Sequence, residues 1–159
     1  FFFLRKAIMA DNVEASVEGA DDHEDETPQV QEEIIRRHTI SQEKNETPLK
    51  EGWLVKQGGK FKSWKKRYFV LYKTGVVYFD QQNGKIKGGI AMETITAIRG
   101  AEPWETKKEH CFTIVCGKGR AYIQQAPTKA AKEDWMTTIA KSVSIEVTPT
   151  STTTATTPL

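Results

Sequence analysis

Cysteine and histidine are scarce in this chain, which has 2 cysteines and 3 histidines among 159 residues. Cys111 and Cys116 are five positions apart. On one strand they would point to opposite faces, because side chains alternate, so they are poor disulfide partners. The histidines are scattered and have no metal-ligand spacing. We therefore expect structural thiols in a reducing compartment, no metal site and no cofactor.

Long apolar runs are also absent. No stretch approaches the roughly 18 residues of a membrane-spanning helix. The opening FFFLRKAIM has four leading apolar residues before Arg5 and Lys6, which is not typical of a secretory signal. No Ser, His and acid arrangement and no phosphate-cradling P-loop occurs in the sequence. We therefore expect a cytoplasmic protein that is not an enzyme.

Basic residues are few in the first part of the chain and acidic residues are few in the second. Residues 1–48 hold 12 acidic and 5 basic side chains, a net charge of −7, whereas residues 49–159 hold 9 acidic and 18 basic ones, a net charge of +9. The acidic part has almost no aromatic residues after its first three positions. Because it cannot bury enough apolar surface, we expect residues 1–48 to be a disordered segment. A short helix over residues 30–40 is compatible with its i, i+4 charge pairs but would be marginal alone.

The folded unit is expected to span residues 49–146. The last segment, residues 147–159, is rich in threonine and is expected to be a disordered tail. Short apolar runs with turn signals between them predict seven strands and no intervening helix, typical of an antiparallel barrel or sandwich. The predicted strands are residues 52–57, 65–72, 76–80, 88–93, 95–99, 111–116 and 121–125.

One amphipathic helix is predicted after the last strand. Ala131, Trp135, Ile139 and Val143 recur at spacings of four, which places them on one helical face. Thr128 stands where an N-cap is needed. The expected fold is therefore a mainly β, seven-stranded, partly open antiparallel barrel that is capped by one C-terminal α-helix.

The hairpin GWLVKQGGKFKSWKKRYFVL carries an unusual concentration of positive charge. In its strands Lys56 shares the parity of Leu54, and Lys65 and Arg67 share that of Phe69, so three cations point to the core side. Burying an unpaired cation costs several kcal/mol, more than the roughly 1.5–3 kcal/mol that one leucine contributes. The cations must therefore lie at an open end of the barrel, where they are expected to bind an anion.

The residue types suit a compact, multiply phosphorylated group. Lysine offers a compact charge and arginine a planar fork that holds phosphate oxygens in pairs. Main-chain N–H groups of Gly58 and Gly59 are further candidate donors, and the Tyr78 hydroxyl is another. The alternative is that these cations are solvated charges on a sheet edge.

At these residues the sequence resembles a pleckstrin homology domain. The resemblance covers residues 49–144 and rests on EGWLVKQGG, WKKRYFVL, VVYF and the late helix with Trp135. It implies a seven-stranded barrel with one capping helix. Members that bind 3-phosphorylated inositol lipids carry a first-strand lysine, then a basic residue, any residue, an arginine and two hydrophobic residues on the second strand. Here Lys56, Lys65, Arg67, Tyr68 and Phe69 fill those positions.

The resemblance implies specific roles for five residues. Lys56 and Arg67 would hold the 3-phosphate region and Lys65 would assist, while Tyr78 matches a third-strand tyrosine that helps in some members. Lys87 is a candidate for an outer phosphate. The expected function is therefore a phosphoinositide-binding, membrane-targeting signalling module for trisphosphate or 3,4-bisphosphate headgroups.

The loop between the two strands is expected to contact the membrane. Lys60 and Lys62, with Lys66 nearby, would draw the domain to an anionic leaflet, and Phe61 would dip into its interface. We expect a monomer that is recruited peripherally to the plasma membrane from the cytoplasm, with a protein partner reached through the tails.

Three other interpretations remain at this stage. The first is a protein-interaction adaptor of the same fold with only weak, nonspecific attraction to anionic lipid. The second is nucleic-acid binding through Phe61 and Trp64, which we do not expect because Trp64 is expected to pack on the barrel. The third is autoinhibition, in which residues 1–48 compete with lipid and phosphorylation of Thr39 in RRHT adds to their charge.

Overall fold

The computed structural model describes residues 28–59 and 62–148. Its secondary structure agrees with the predicted order of seven strands followed by a helix, with each strand bound shifted by two residues or fewer. The strands are β1 Lys50–Gln57, β2 Trp64–Tyr72, β3 Gly75–Phe79, β4 Ile86–Ala91, β5 Ile95–Ala101, β6 Cys111–Cys116, β7 Ala121–Gln125 and β8 Val147–Thr148. The helices are α1 Pro28–Glu43, α2 Pro103–Thr106 and α3 Lys129–Val143. The prediction of no helix between the strands is wrong at α2, a single turn between β5 and β6 that Pro103 and a capping box stabilise.

The strands form one sheet in the order β4-β3-β2-β1-β7-β6-β5-β8. Strands β1 to β7 pair antiparallel, and only the two-residue β8 pairs parallel, with β5. Strands β4 and β8 are the two ends of the described sheet, so the barrel is partly open. The predicted fold class is therefore confirmed, and β8 is an addition at the start of the predicted C-terminal tail.

The main core lies between the inner face of the sheet and helix α3. Phe69, Phe112 and Ile139 are each at most 1% exposed, and the Trp135 ring meets the Phe69 ring edge-on at 6.4 Å. Helix α3 begins at the predicted cap, where the Thr128 hydroxyl oxygen accepts a hydrogen bond from the Ala131 N–H at 3.1 Å. The predicted capping helix is therefore confirmed, with its apolar face on the barrel.

Helix α1 covers the outer face of the sheet. Its Ile34 side chain is 6% exposed and belongs to a second apolar cluster with residues of β2 and β3, including Val77 and Phe79. The structure thus differs from the expectation of disorder over residues 28–48, because the sheet supplies an apolar surface that an isolated helix lacks. The rest of that predicted segment, residues 1–27, and most of the C-terminal tail, residues 149–159, lie outside the described residues.

Two polar contacts also hold α1 on the domain. Arg37 forms an ion pair with Glu93, which lies two residues after the end of β4. The Gln42 amide donates to the Tyr72 hydroxyl at 2.9 Å. The helix approaches β4 closely because Gly89 lacks a side chain: a Cβ there would lie 2.8 Å from Ile34 Cγ2.

Candidate functional site

A shallow recess opens at the end of the barrel where β1 and β2 are joined. It has a volume of about 250 Å³ including its open mouth, and it is lined by Lys56, Gly58, Lys65, Arg67, Tyr78 and Lys87. The structure therefore brings together all five residues that the sequence predicts as headgroup ligands.

The strand register sets two of the cations directly against each other. Lys56 of β1 is paired with Lys65 of β2, and Leu54 is paired with Arg67. Side chains that are directly opposite in an antiparallel pair lie close together, and like charges in this position are destabilising. The hairpin therefore carries an electrostatic cost that a bound anion would offset.

The wall of the recess is aromatic. Tyr78 is 5% exposed and its ring stacks on the Phe69 ring with 5.2 Å between centroids. The Lys56 ammonium lies 5.2 Å from the centroid of the Tyr78 ring, within the range of a cation–π interaction. The Tyr78 ring thus helps to hold the ammonium group at the recess.

Gly88 is a site residue that is not predicted from the sequence. Its φ is +152°, and a Cβ at this position would lie 2.2 Å from the Tyr78 hydroxyl oxygen. Only glycine leaves room for the tyrosine to reach the recess, next to Lys87 on the same strand. The available signal was the glycine pair inside a predicted strand, which often marks a close approach of another group.

The charge of the recess is entirely positive. Among the described residues that line it, four are basic and none is acidic. Each of the four is partly buried. The Arg67 guanidinium donates a hydrogen bond to the main-chain oxygen of Lys66 at 3.0 Å, which fixes one of its nitrogens and orients the fork. A partly buried cationic cluster of this kind attracts compact anions.

The loop after β1 differs in part from the prediction. The Gly58 N–H donates to the Ser63 main-chain oxygen at 2.7 Å, so it closes the hairpin and does not serve as the expected donor to a ligand. Lys62 is exposed and has a φ of +53°. Lys60 and Phe61 lie outside the described residues.

Two lysine ammonium groups lie over tryptophan rings on the outer face of the hairpin. The Lys66 ammonium is 4.9 Å from the Trp53 ring centroid, and the Lys108 ammonium is 5.3 Å from that of Trp64. Trp64 is partly buried beneath Lys108 and is not a free stacking platform. This arrangement argues against the nucleic-acid interpretation.

A larger recess lies beside the first, toward the β6–β7 turn, and shares Lys56 and Gly58 with it. It adds Arg120, whose guanidinium carbon lies 4.8 Å from the Tyr122 ring centroid. Arg120 is not predicted from the sequence, because nothing local to the β6–β7 turn places it near the hairpin. The complete lining is Lys56, Gln57, Gly58, Gly59, Lys62, Arg120, Ala121, Tyr122 and Ile123.

The two cysteines are buried and form no disulfide bond. Burial raises the pKa of the Cys111 thiol, which keeps it protonated and unreactive at neutral pH. Within residues 28–59 and 62–148 there is no group of three or more histidine, cysteine or acidic side chains that could hold a metal ion. None of the helices in that part of the chain is long and apolar enough to cross a membrane.

Comparison with known protein families gives one match: the model described as "PH domain" matches residues 48–144. A PH domain-containing protein of Dictyostelium discoideum is 33% identical over 96 residues, which cover 59% of this chain and 20% of that protein. Cytohesin-2 of Homo sapiens is 29% identical over 121 residues, covering 62% of this chain and 30% of that protein. The chain thus corresponds to less than a third of the length of these two relatives.

Two solved structures of PH domains are similar to this chain in fold. The C-terminal PH domain of pleckstrin in complex with D-myo-Ins(1,2,3,4,5)P5 is 26% identical, with a TM-score of 0.52, and covers 60% of this chain and 98% of that chain. The same domain with D-myo-Ins(1,2,3,5,6)P5 is 25% identical, with a TM-score of 0.54, and covers 62% of this chain and 97% of that chain.

Proposed function

Because the chain belongs to the PH domain family, we propose that its folded part is a phosphoinositide-binding module that recruits the protein to a membrane, and not an enzyme. The pleckstrin domain in the first solved structure was determined with an inositol pentakisphosphate bound. At 26% identity, that neighbour supports a phosphorylated inositol as the class of ligand for this chain.

The observation that carries the proposal is the clustering of four cations and a tyrosine around one open recess. Lys56 and Lys65 face each other across the hairpin, and their repulsion decreases when an anion lies between them. Arg67 adds a planar fork that suits paired phosphate oxygens. A headgroup with adjacent phosphates concentrates several negative charges in one compact group, which suits such a cluster.

We propose a preference for the 3-phosphate because the hairpin resembles that of family members that bind 3-phosphorylated inositol lipids. Lys56 and Arg67 would hold the 3-phosphate region from facing strands, with Lys65 assisting. The Tyr78 hydroxyl would donate to the same group, and Lys87 would contact an outer phosphate. Trisphosphate and 3,4-bisphosphate headgroups both fit this arrangement.

Attraction to the bilayer adds a second contribution. Exposed Lys62 lines the larger recess, and exposed Lys66 lies on the outer face of the same hairpin. Each base near an anionic leaflet contributes roughly 1 kcal/mol. Lys60 and Phe61 would extend this contact. We infer peripheral recruitment to the cytoplasmic leaflet of the plasma membrane, where such lipids are signals, and binding as a monomer.

The test measures binding of the full chain to vesicles with and without phosphoinositide. The variant is Lys56→Ala with Arg67→Ala, and the control is Lys129→Ala with Lys141→Ala, which removes the same charge from exposed positions on α3. We expect the first pair to weaken binding by about 100-fold or more, because each charge-assisted contact contributes roughly 1.5–3 kcal/mol. The control pair should change binding by less than about threefold.

Soluble headgroups separate the specificity from the general attraction. Inositol 1,3,4,5-tetrakisphosphate should bind, and inositol 1,4,5-trisphosphate should bind more weakly because it lacks the 3-phosphate. Equal effects of the two charge pairs would refute the recess as the binding site. Unchanged vesicle binding by the folded Lys56 and Arg67 variant would favour the protein-interaction adaptor.

A further inference from the structure

Trp104 is the most exposed large hydrophobic side chain in the described part of the protein. It is 78% exposed, whereas Ile35, Ile40, Leu49 and Trp53 are between 36% and 43% exposed. Trp104 lies on α2, in the connection between β5 and β6. Its indole therefore presents a large apolar surface, with one N–H donor, outside the core.

The turn that carries Trp104 is rigid. Glu102 and Glu105 form a reciprocal capping box, and Pro103 occupies the start of the helix. Arg99 pairs with Glu105 at 3.4 Å. The buried Thr106 hydroxyl donates to the Lys108 main-chain oxygen at 2.9 Å. These bonds fix the backbone on both sides of the indole, so its exposure is built into the turn.

The turn also lies beside the cationic hairpin. The Lys108 ammonium covers the ring of Trp64, the residue before Lys65 of the recess. Lys107 is exposed at the end of α2. The cations Arg99, Lys107 and Lys108 balance the carboxylates Glu102, Glu105 and Glu109 in number, so the connection is close to neutral. The excess positive charge beside the indole belongs to the hairpin.

We propose that residues 102–108 form a second membrane-contact element, in which the Trp104 indole inserts into the interfacial region of an anionic bilayer. An indole suits this zone because it has an apolar body and one N–H donor. Lys107 and Lys108 would lie at the level of the lipid headgroups. The inference rests on the proposed membrane function and adds a contact that the headgroup recess does not provide.

A bilayer fits this surface better than a protein partner. Protein hot spots lie inside a larger patch that excludes water. None of the other exposed large hydrophobic side chains in the described residues belongs to the β5–β6 connection. A single projecting indole beside the cationic hairpin matches an interfacial anchor, which needs no surrounding apolar ring.

The first test compares Trp104→Ala, Trp104→Phe and the control Leu49→Ala. Leu49 is 43% exposed and lies at the opposite end of the β1–β2 hairpin from its loop. We expect Trp104→Ala to weaken binding to phosphoinositide vesicles about tenfold. Trp104→Phe should retain part of the affinity and Leu49→Ala all of it. Binding of soluble inositol 1,3,4,5-tetrakisphosphate should be unchanged in all three variants.

The second test locates position 104 directly. Because the native cysteines are buried, an environment-sensitive fluorophore will label Trp104→Cys selectively, with Thr137→Cys on exposed α3 surface as the control. On phosphoinositide vesicles the label at 104 should shift to the blue and be quenched by brominated lipid, and the label at 137 should do neither.

The outcomes separate this inference from the proposed function. Full vesicle affinity of Trp104→Ala, or a label at 104 that stays in water on bound vesicles, overturns it. If the unmodified chain binds no soluble headgroup, the proposed function fails. Insertion of residue 104 is then tested separately, by whether the label at this position shifts to the blue on phosphatidylserine vesicles. Parallel loss of soluble and vesicle binding by Trp104→Ala would mean a structural role and would also overturn it.

Discussion

Helix α1 allows a closely matched pair of substitutions. Ile34 is 6% exposed beneath the helix, whereas the next residue, Ile35, is 36% exposed. Ile34→Ala and Ile35→Ala remove the same atoms from adjacent positions of one helix. If α1 is docked on the outer face of the sheet, only the first change should disturb the docking.

The expected magnitude follows from the burial. Truncating a buried isoleucine to alanine costs about 2–5 kcal/mol, and surface changes usually stay within about 0.5 kcal/mol. Ile34 lies in the smaller outer cluster, where the helix can move to fill part of the space. We therefore expect a loss of about 2 kcal/mol for Ile34→Ala, near the lower end of that range.

Hydrogen exchange with mass spectrometry measures this loss where it occurs. Amides of α1 should exchange about 30-fold faster in Ile34→Ala, since each 1.4 kcal/mol is tenfold. Amides of β6 and α3 should change far less, because the main core does not include Ile34. Similar exchange in the Ile34→Ala and Ile35→Ala variants would refute the docked helix.

Two further predictions concern residues around the same sheet. Burial lowers the pKa of His38 below its ordinary value of 6.5, so α1 docks with a neutral imidazole; its docking should be complete above pH 6.5 and weaken as the pH falls through the lowered pKa. Exchange of α1 that is independent of pH in this range, after correction for the intrinsic rate, would contradict this expectation. Gly88→Ala should displace Tyr78 and weaken vesicle binding by about tenfold or more, since its Cβ would overlap the hydroxyl. Gly117→Ala is the control, because a Cβ there meets nothing within 4 Å, and equal binding by the two variants would remove Tyr78 from the site.

Much of the recess follows from the sequence because strand parity is a local property. Lys56, Lys65 and Arg67 share parity with apolar core residues, and the hairpin brings them to one end of the barrel. The role of Gly88 could not be predicted from the sequence, because it depends on Tyr78 of the neighbouring strand. The glycine pair indicates a close approach at this strand, but the group that approaches lies on the neighbouring strand and cannot be identified from the pair alone.

The sequence alone determined the order of strands, the capping helix and the inward direction of the hairpin cations, because alternation and helical periodicity are written in consecutive residues. Tertiary structure decided that α1 is ordered, since the partners of Ile34 lie on β2 and β3, more than 30 positions away in the chain. It also decided that Trp104 faces water while Trp135 fills the core. The burial of each side chain depends on contacts between segments that are distant in the chain, and these contacts form only in the folded structure.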